Sequence, residues 1–172
     1  YKKPAFDGRM MRLFDRGKRE EDIVVGDLMA CGIDVDCELT KFADVTKDKY
    51  ERPQQDSFTD FGGHFAGSID GIGEKNGKRF LIEIKTASDK LWNALHKQGV
   101  EKSNPTHYCQ MQVYMGYFKF QKALYISVNK NTDELHLEWV DFDADAYEAL
   151  RQRAREIIFS QEPPERLSEN PA

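Results

Sequence analysis

From Gly63 to Ser88 apolar and polar residues trade places with the period of two that a strand imposes, and the stretch reads as two strands joined by a polar turn. In the second strand Phe80, Ile82 and Ile84 share one face, while Arg79, Leu81, Glu83 and Lys85 share the other. That is the pattern of a half-buried strand with a wet side. Glu83 and Lys85 therefore project together, and Asp70 comes from the strand before. Gly63, Gly67, Gly71 and Gly73 surround Asp70. Glycines in strands mark bulges or the close approach of another backbone, and a polymer sliding past is one such visitor.

The period changes to that of a helix from about Arg9 to Gly32, where glycine ends the run. Leu13, Gly17, Glu21, Val24 and Leu28 fall on the face expected to meet the core, so Glu21 is a carboxylate among core positions, expensive there unless partnered. It reads as a buried ion pair or as a carboxylate aimed at a metal or its water; Glu20, one position round, can be solvated beside Arg16. Arg9, Arg12, Arg16 and Arg19 stack along another face, either solvated or placed for phosphate contact.

Ile33 to Lys41 alternates as a strand, and a polar interval from Asp44 to Gly62 follows, read as a strand around Gln54 to Phe58 or as a mobile loop over the site. A short helix is expected over Asp89 to Gln98. Asn104-Pro105 then caps a helix from Thr106 to about Phe118, which carries His107, Gln110 and Tyr114 as a polar stripe. Gln110 either satisfies buried backbone groups or serves as an amide that orients a metal-bound water or holds Lys85. Lys122 to Asn129 and Glu134 to Phe142 form a hairpin. Asp143 to Gln161 closes the chain as an amphipathic helix with Tyr147, Leu150, Ala154, Ile157 and Ile158 inward. The pattern predicts one domain over residues 1–172 with loosely ordered ends at 1–8 and 162–172. Its class is mixed α/β (α+β), a central mixed sheet flanked by helices.

The net charge of −5 argues against a general polyanion-binding surface, but residues 1–19 hold seven basic side chains against two acids, so positive charge is concentrated locally. No apolar run reaches the length of a membrane span, and the composition is that of a soluble cytoplasmic protein. Cys31, Cys37 and Cys109 are scattered, odd in number and lack C-x-x-C spacing, which speaks against a thiolate metal site and for a reducing compartment. There is no phosphate-binding G-x-x-x-x-G-K and no nucleophile elbow.

The chemistry on offer is Asp70 with Glu83 and Lys85, hard oxygens and an ammonium arranged to hold a divalent metal, Mg2+ or Mn2+, and an activated water. Glu21 adds a carboxylate from the helix side. His64, in the same alternation as Asp70, reads as a surface or hydrogen-bonded histidine.

Four segments in this order resemble the PD-(D/E)xK nuclease superfamily: Arg16-Gly17 with Glu21 on the first helix, Gly67-Ser68-Ile69-Asp70-Gly71, Ile82-Glu83-Ile84-Lys85-Thr86, and His107 to Tyr114 with Gln110 and Tyr114 as Q-x-x-x-Y. The chain is most similar to its phage and RecB-like branch, the group of lambda exonuclease and the YqaJ-type viral recombinases, although no proline precedes Asp70. The resemblance implies a restriction-endonuclease-like core and a metal-dependent DNA exonuclease acting at double-stranded ends in phage recombination or replication. It also implies that Asp70, Glu83 and the Ile84 carbonyl bind the metal, that Glu21 completes the site, that Lys85 steers or helps deprotonate the water, and that Gln110 supports it. Tyr114 would be a packing or substrate contact. Arg12, Arg16, Arg19 and Ser88 are further candidate substrate contacts. The cysteines that hold an iron–sulfur cluster in some relatives are missing, so none is expected. DNA is the implied partner, with a single-strand annealing protein and a homo-oligomer as family possibilities and no membrane. An endonuclease of the same superfamily, restriction or junction-resolving, uses the same residues, and a non-catalytic nucleic-acid-binding module is the alternative from another class.

Overall fold

The computed structural model describes residues 7–37 and 56–162 of the chain. The expected ends at 1–6 and 163–172, the far part of the strand predicted to Lys41, and the interval from Asp44 through Gln55 lie outside them.

Helix α1 (Gly8–Ala30) starts where the Asp7 carboxylate accepts the Met10 N–H at 2.8 Å. It stops at Gly32, whose φ of 74° lets the Ile33 N–H return to the Leu28 carbonyl at 3.1 Å. Then come β1 (Asp34–Cys37), β2 (Ser57–Asp60), a 3-10 turn (Phe61–Gly63), β3 (Phe65–Ser68), β4 (Gly71–Lys75) and β5 (Lys78–Ala87). Helices α2 (Asp89–Ser103) and α3 (Pro105–Phe118), strands β6 (Lys122–Asn129) and β7 (Leu135–Asp141), and α4 (Ala144–Phe159) complete the order. Five strands form one mixed sheet in the order β1-β4-β5-β6-β7, parallel only between β5 and β6, because the chain crosses through α2 and α3 to make that pair. The mixed sheet flanked by helices is the expected fold class.

The region read as two strands is three. Strands β2 and β3 pair as a separate ribbon, and the chain leaves it at Ile69-Asp70 before β4 begins, so Asp70 sits on a connection and not in a strand. His64, just after the 3-10 turn, is exposed. The polar turn between β4 and β5 is Asn76-Gly77, both left-handed at φ 54° and 72°, the two-residue hairpin chemistry that matches strand twist.

The expected wet side of β5 is absent, for helices cover both faces. Phe80, Ile82 and Ile84 pack with Val24, Val25 and Leu28 of α1, while Leu81 packs with Leu95, Val100, Met111 and Met115 of α2 and α3. Only the second half of α1 reaches this core: Leu13 is 45% exposed, and Gly17 has no neighbouring atom that a side chain would meet. Likewise α4 packs through Tyr147 on α3, and Ile157, expected inward, is exposed. Helix α2 runs past Gln98 through a kink at Gly99, where Glu138 accepts the Val100 N–H at 2.8 Å. Buried Gln112, an unforeseen joint, donates to the Asp141 carbonyl and accepts from the Asp143 N–H at the start of α4.

A Cβ at Gly116 would lie 2.2 Å from the Tyr147 ring. Gly116→Ala is therefore expected to force α3 and α4 apart and cost about 1–3 kcal/mol, measured by urea unfolding, whereas Gly17→Ala should be neutral or stabilising.

Candidate active site

Strand β4 begins at Gly71 opposite Ile82, so on that side β5 continues without a partner and the Ile84 N–H needs an acceptor. Asp70 supplies it, its Oδ2 accepting at 2.8 Å. The Lys85 ammonium lies 3.9 Å from the same oxygen and makes direct ion-pair contact with Glu83 Oε1. Glu83 has no exposed surface, and no hydrogen bond of good geometry reaches either of its oxygens. Buried polar groups are almost always satisfied, so these two oxygens require an explanation.

The electrostatics has one direction. Burial first and Asp70 second push the Glu83 carboxyl up to about 7. Glu21, half-buried on α1 one turn before Val24 and Val25, is pushed to about 7 by burial and then by Asp70. Burial raises Asp70 as well, against the opposing pull of Lys85 and the Ile84 N–H. For Lys85 burial alone would lower the ammonium, but Glu83 and Asp70 more than reverse that. Three carboxylates thus feel one another around Lys85, with Lys18 acting on Glu21 as well, and burial and mutual repulsion outweigh both cations at the two glutamates.

Among the described residues no group of three or more His, Cys, Asp and Glu side chains is drawn together as a metal cage. Lys85 stands against Glu83 instead. The donor chemistry nevertheless fits a hard divalent cation: a buried carboxylate met among the described residues only by Lys85, two further carboxylates, and the Ile84 carbonyl on the same strand.

Around this cluster the supports differ from those expected. The Gln110 amide, read either as satisfying buried backbone groups or as orienting a water or holding Lys85, donates to the Tyr114 hydroxyl at 2.9 Å. Tyr114 in turn lies over Gly67, where a Cβ would be 2.6 Å from its ring, and burial raises its hydroxyl. Gly67 and Gly73 make room for the Tyr114 and Phe80 rings, and at Gly71 the expected close backbone is that of Asp36-Cys37. Arg12, Arg16 and Arg19 are exposed, and Arg16 reaches the Lys130 carbonyl at 3.2 Å and Glu20 at 3.8 Å. Ser88 is exposed at the start of α2 and caps nothing with its side chain.

Two neighbours of the cluster went unrecognised. Tyr125 pairs in register with Glu83 and is fully buried, its hydroxyl pushed up to about 12 by burial. His107 Nδ1 lies 2.7 Å from that hydroxyl, and its Nε2 faces the Asn104 amide at 3.3 Å. Burial and then Lys85 drive His107 down to about 4, so it is neutral: Nε2 accepts from Asn104 and Nδ1–H donates to Tyr125. The available signal was Tyr125 with Ser127 in an otherwise apolar strand.

No protein-family model and no curated protein matches this chain. Among solved structures it is similar to one titled "Crystal structure of SSO0001", at 19% identity and a TM-score of 0.43, over 65% of this chain and 52% of that one. The chain spans about half the length of that structure, and a likeness this loose carries no argument about activity.

Glu21 and Glu83 both sit near 7 when folded against 4.5 ordinarily, so the folded chain holds extra protons between those values. Their destabilisation is absent below about pH 4.5 and complete above about 7. In chelator, unfolding free energy should fall across that window by on the order of 1–3 kcal/mol, and Glu83→Gln should flatten the fall. A flat wild-type profile would remove the claimed electrostatic cost.

Proposed function

We propose that this chain is a metal-dependent nuclease that hydrolyses DNA phosphodiester bonds, working as an exonuclease at double-stranded ends. The observation that carries the reading is the buried carboxylate of Glu83, whose one charged contact among the described residues is Lys85, within electrostatic reach of Asp70 and Glu21. Magnesium or manganese would be held by Asp70, Glu83, the Ile84 carbonyl and Glu21. Bound there, it would lower the pKa of a water and neutralise charge developing on phosphorus.

The remaining work falls to the chain. Lys85, held charged by its acids, is a donor to a phosphate oxygen or to the attacking water and not the base. Glu21 faces the cluster from the helix side, where it would complete the metal's ligands directly or through a water. Gln110 acts through Tyr114, which steadies the backbone at Gly67, three residues before Asp70.

The choice of duplex ends, of recombination or replication as the setting, of the cytoplasm, and of a single-strand annealing protein as companion rests on the resemblance to the phage and RecB-like branch. So does self-association. Among the described residues no helix is long and apolar enough to cross a membrane.

End-labelled linear duplex should be degraded with magnesium and spared with chelator, while covalently closed circles survive. Lys85→Ala should slow digestion about 10²-fold or more, the scale of losing one preorganised donor. Cutting of closed circles would instead indicate an endonuclease, and failure to cut either would leave a nucleic-acid-binding module. Independently of activity, magnesium at 100 times its Kd should stabilise the wild type by about 2.7 kcal/mol and leave Glu83→Gln unchanged.

A further inference from the structure

At the other end of β5, on the α1 face of the sheet, lies a groove of about 570 Å³ beyond the helix C-terminus. Its apolar wall is Phe80 with Trp139, edge to face at 4.9 Å between centroids, and the Trp139 indole is 53% exposed. Lys75, Lys78, Arg79 and Lys122 line the same groove, and none of the described residues lining it is acidic. Lys122 is already paired with Asp141, and the Arg79 guanidinium turns to the opposite face over the Phe120 ring, which leaves Lys75 and Lys78 uncompensated by a carboxylate in the lining.

Two of the cations are placed at a cost. The Asn76-Gly77 turn sets Lys75 directly opposite Lys78, and like charges facing each other across an antiparallel pair are destabilising. The Lys75 ammonium donates to the Cys31 carbonyl at the end of α1 at 3.0 Å, which eases one charge but leaves Lys78 exposed beside it. An exposed indole flanked by uncompensated cations, on a chain of net charge −5, matches a ligand that combines a flat π-face with phosphate.

We propose that this groove binds an unpaired nucleotide of a nucleic-acid strand, the base stacked on Trp139 and the adjoining phosphates against Lys75 and Lys78. It is a second site. Phe80 precedes Lys85 by five residues, on the order of 17 Å along the strand, and the two side chains point to opposite faces. It does not depend on hydrolysis at the carboxylate cluster and is tested without it.

Trp139 and the buried Trp92 are the chain's two tryptophans, so quenching of the exposed one is readable. Short oligothymidylate, titrated into the full chain in chelator, should quench tryptophan emission, and a duplex of equal length should do so less. Affinity should fall with salt at a log–log slope of about −1.4, as two phosphate contacts on a single strand give. By anisotropy of labelled oligothymidylate, Trp139→Ala should weaken binding about 5- to 150-fold, the range for one stacked base. Lys78→Glu, at an exposed position, should weaken it about 10-fold and flatten the salt slope, with a melting temperature equal to or above the wild type's because a like-charge pair with Lys75 is removed. Unchanged affinity in both variants would overturn the proposal. Quenching that instead follows protein concentration, with a dimer in sedimentation, would also overturn it and assign the groove to a second copy of this chain.

Discussion

A carboxylate with no exposed surface and one ammonium in contact is costly to hold, and the central strand is built to keep it in place. Each ion taken from water costs several kcal/mol even after relaxation, and one off-angle contact does not return that. Glu83 stays because β5 is hydrogen-bonded between β4 and β6 and packed by helices on both faces. A slip of one residue would turn Ile82 and Ile84 toward α3 and Glu83 toward α1, so the register is fixed by every apolar contact of the strand. The stability of two cores is thereby spent on holding three side chains.

Asp70 lacks that security, since it hangs between the small ribbon and the sheet. Two anchors substitute for a strand. One is the Ile84 N–H; the other is the seating of the ribbon itself. Phe58 stacks on Tyr117 at 3.9 Å between centroids, and Asp60 accepts from the Tyr117 hydroxyl at 2.6 Å and from Arg151 at 2.9 Å. Those donors, with the Phe61 N–H, hold the Asp60 carboxyl below its usual range. The ribbon therefore ties α3 and α4 to the residue that precedes β4, and Gly67 lets it lie flush against Tyr114. A site of three carboxylates so depends on a fourth, Asp60, that is not part of it.

Much of this was legible in the chain because period and punctuation agree. The helix over Gly8–Ala30, the Asn104-Pro105 start of α3, the hairpin of β6 with β7 and the pairing of Glu83 with Lys85 all follow from spacing and caps. Glu21 stood out as a carboxylate on an apolar face, and it does lie in the electrostatic reach of Asp70 and Lys85. What failed was local pattern read as if it fixed burial. Alternation in β5 cannot say whether its polar side faces water or a second layer of helices, and here the helices won. Leu13 and Ile157 continue their helical stripes past the edge of the sheet, where periodicity persists and the core does not. Gln110 and His107 belong to networks closed by Tyr114 and by Tyr125, and the second of these joins residues 18 positions apart.

On the proposed reading the same imbalance that burdens the free chain governs its cation. Below about pH 7, Glu21 and Glu83 keep protons that an entering divalent ion must displace, so its affinity rises with pH until both are ionised. Above that point the carboxylates repel one another with only Lys85 between them, and the ion removes a penalty the fold already bears. Were the ion held by Glu83, the Lys85 ammonium, now in contact with Glu83, would be the donor available to a phosphate oxygen. The ion pair of the free chain and the donor of the loaded one are thus one side chain in two roles, and the buried position of Glu83 makes the exchange favourable.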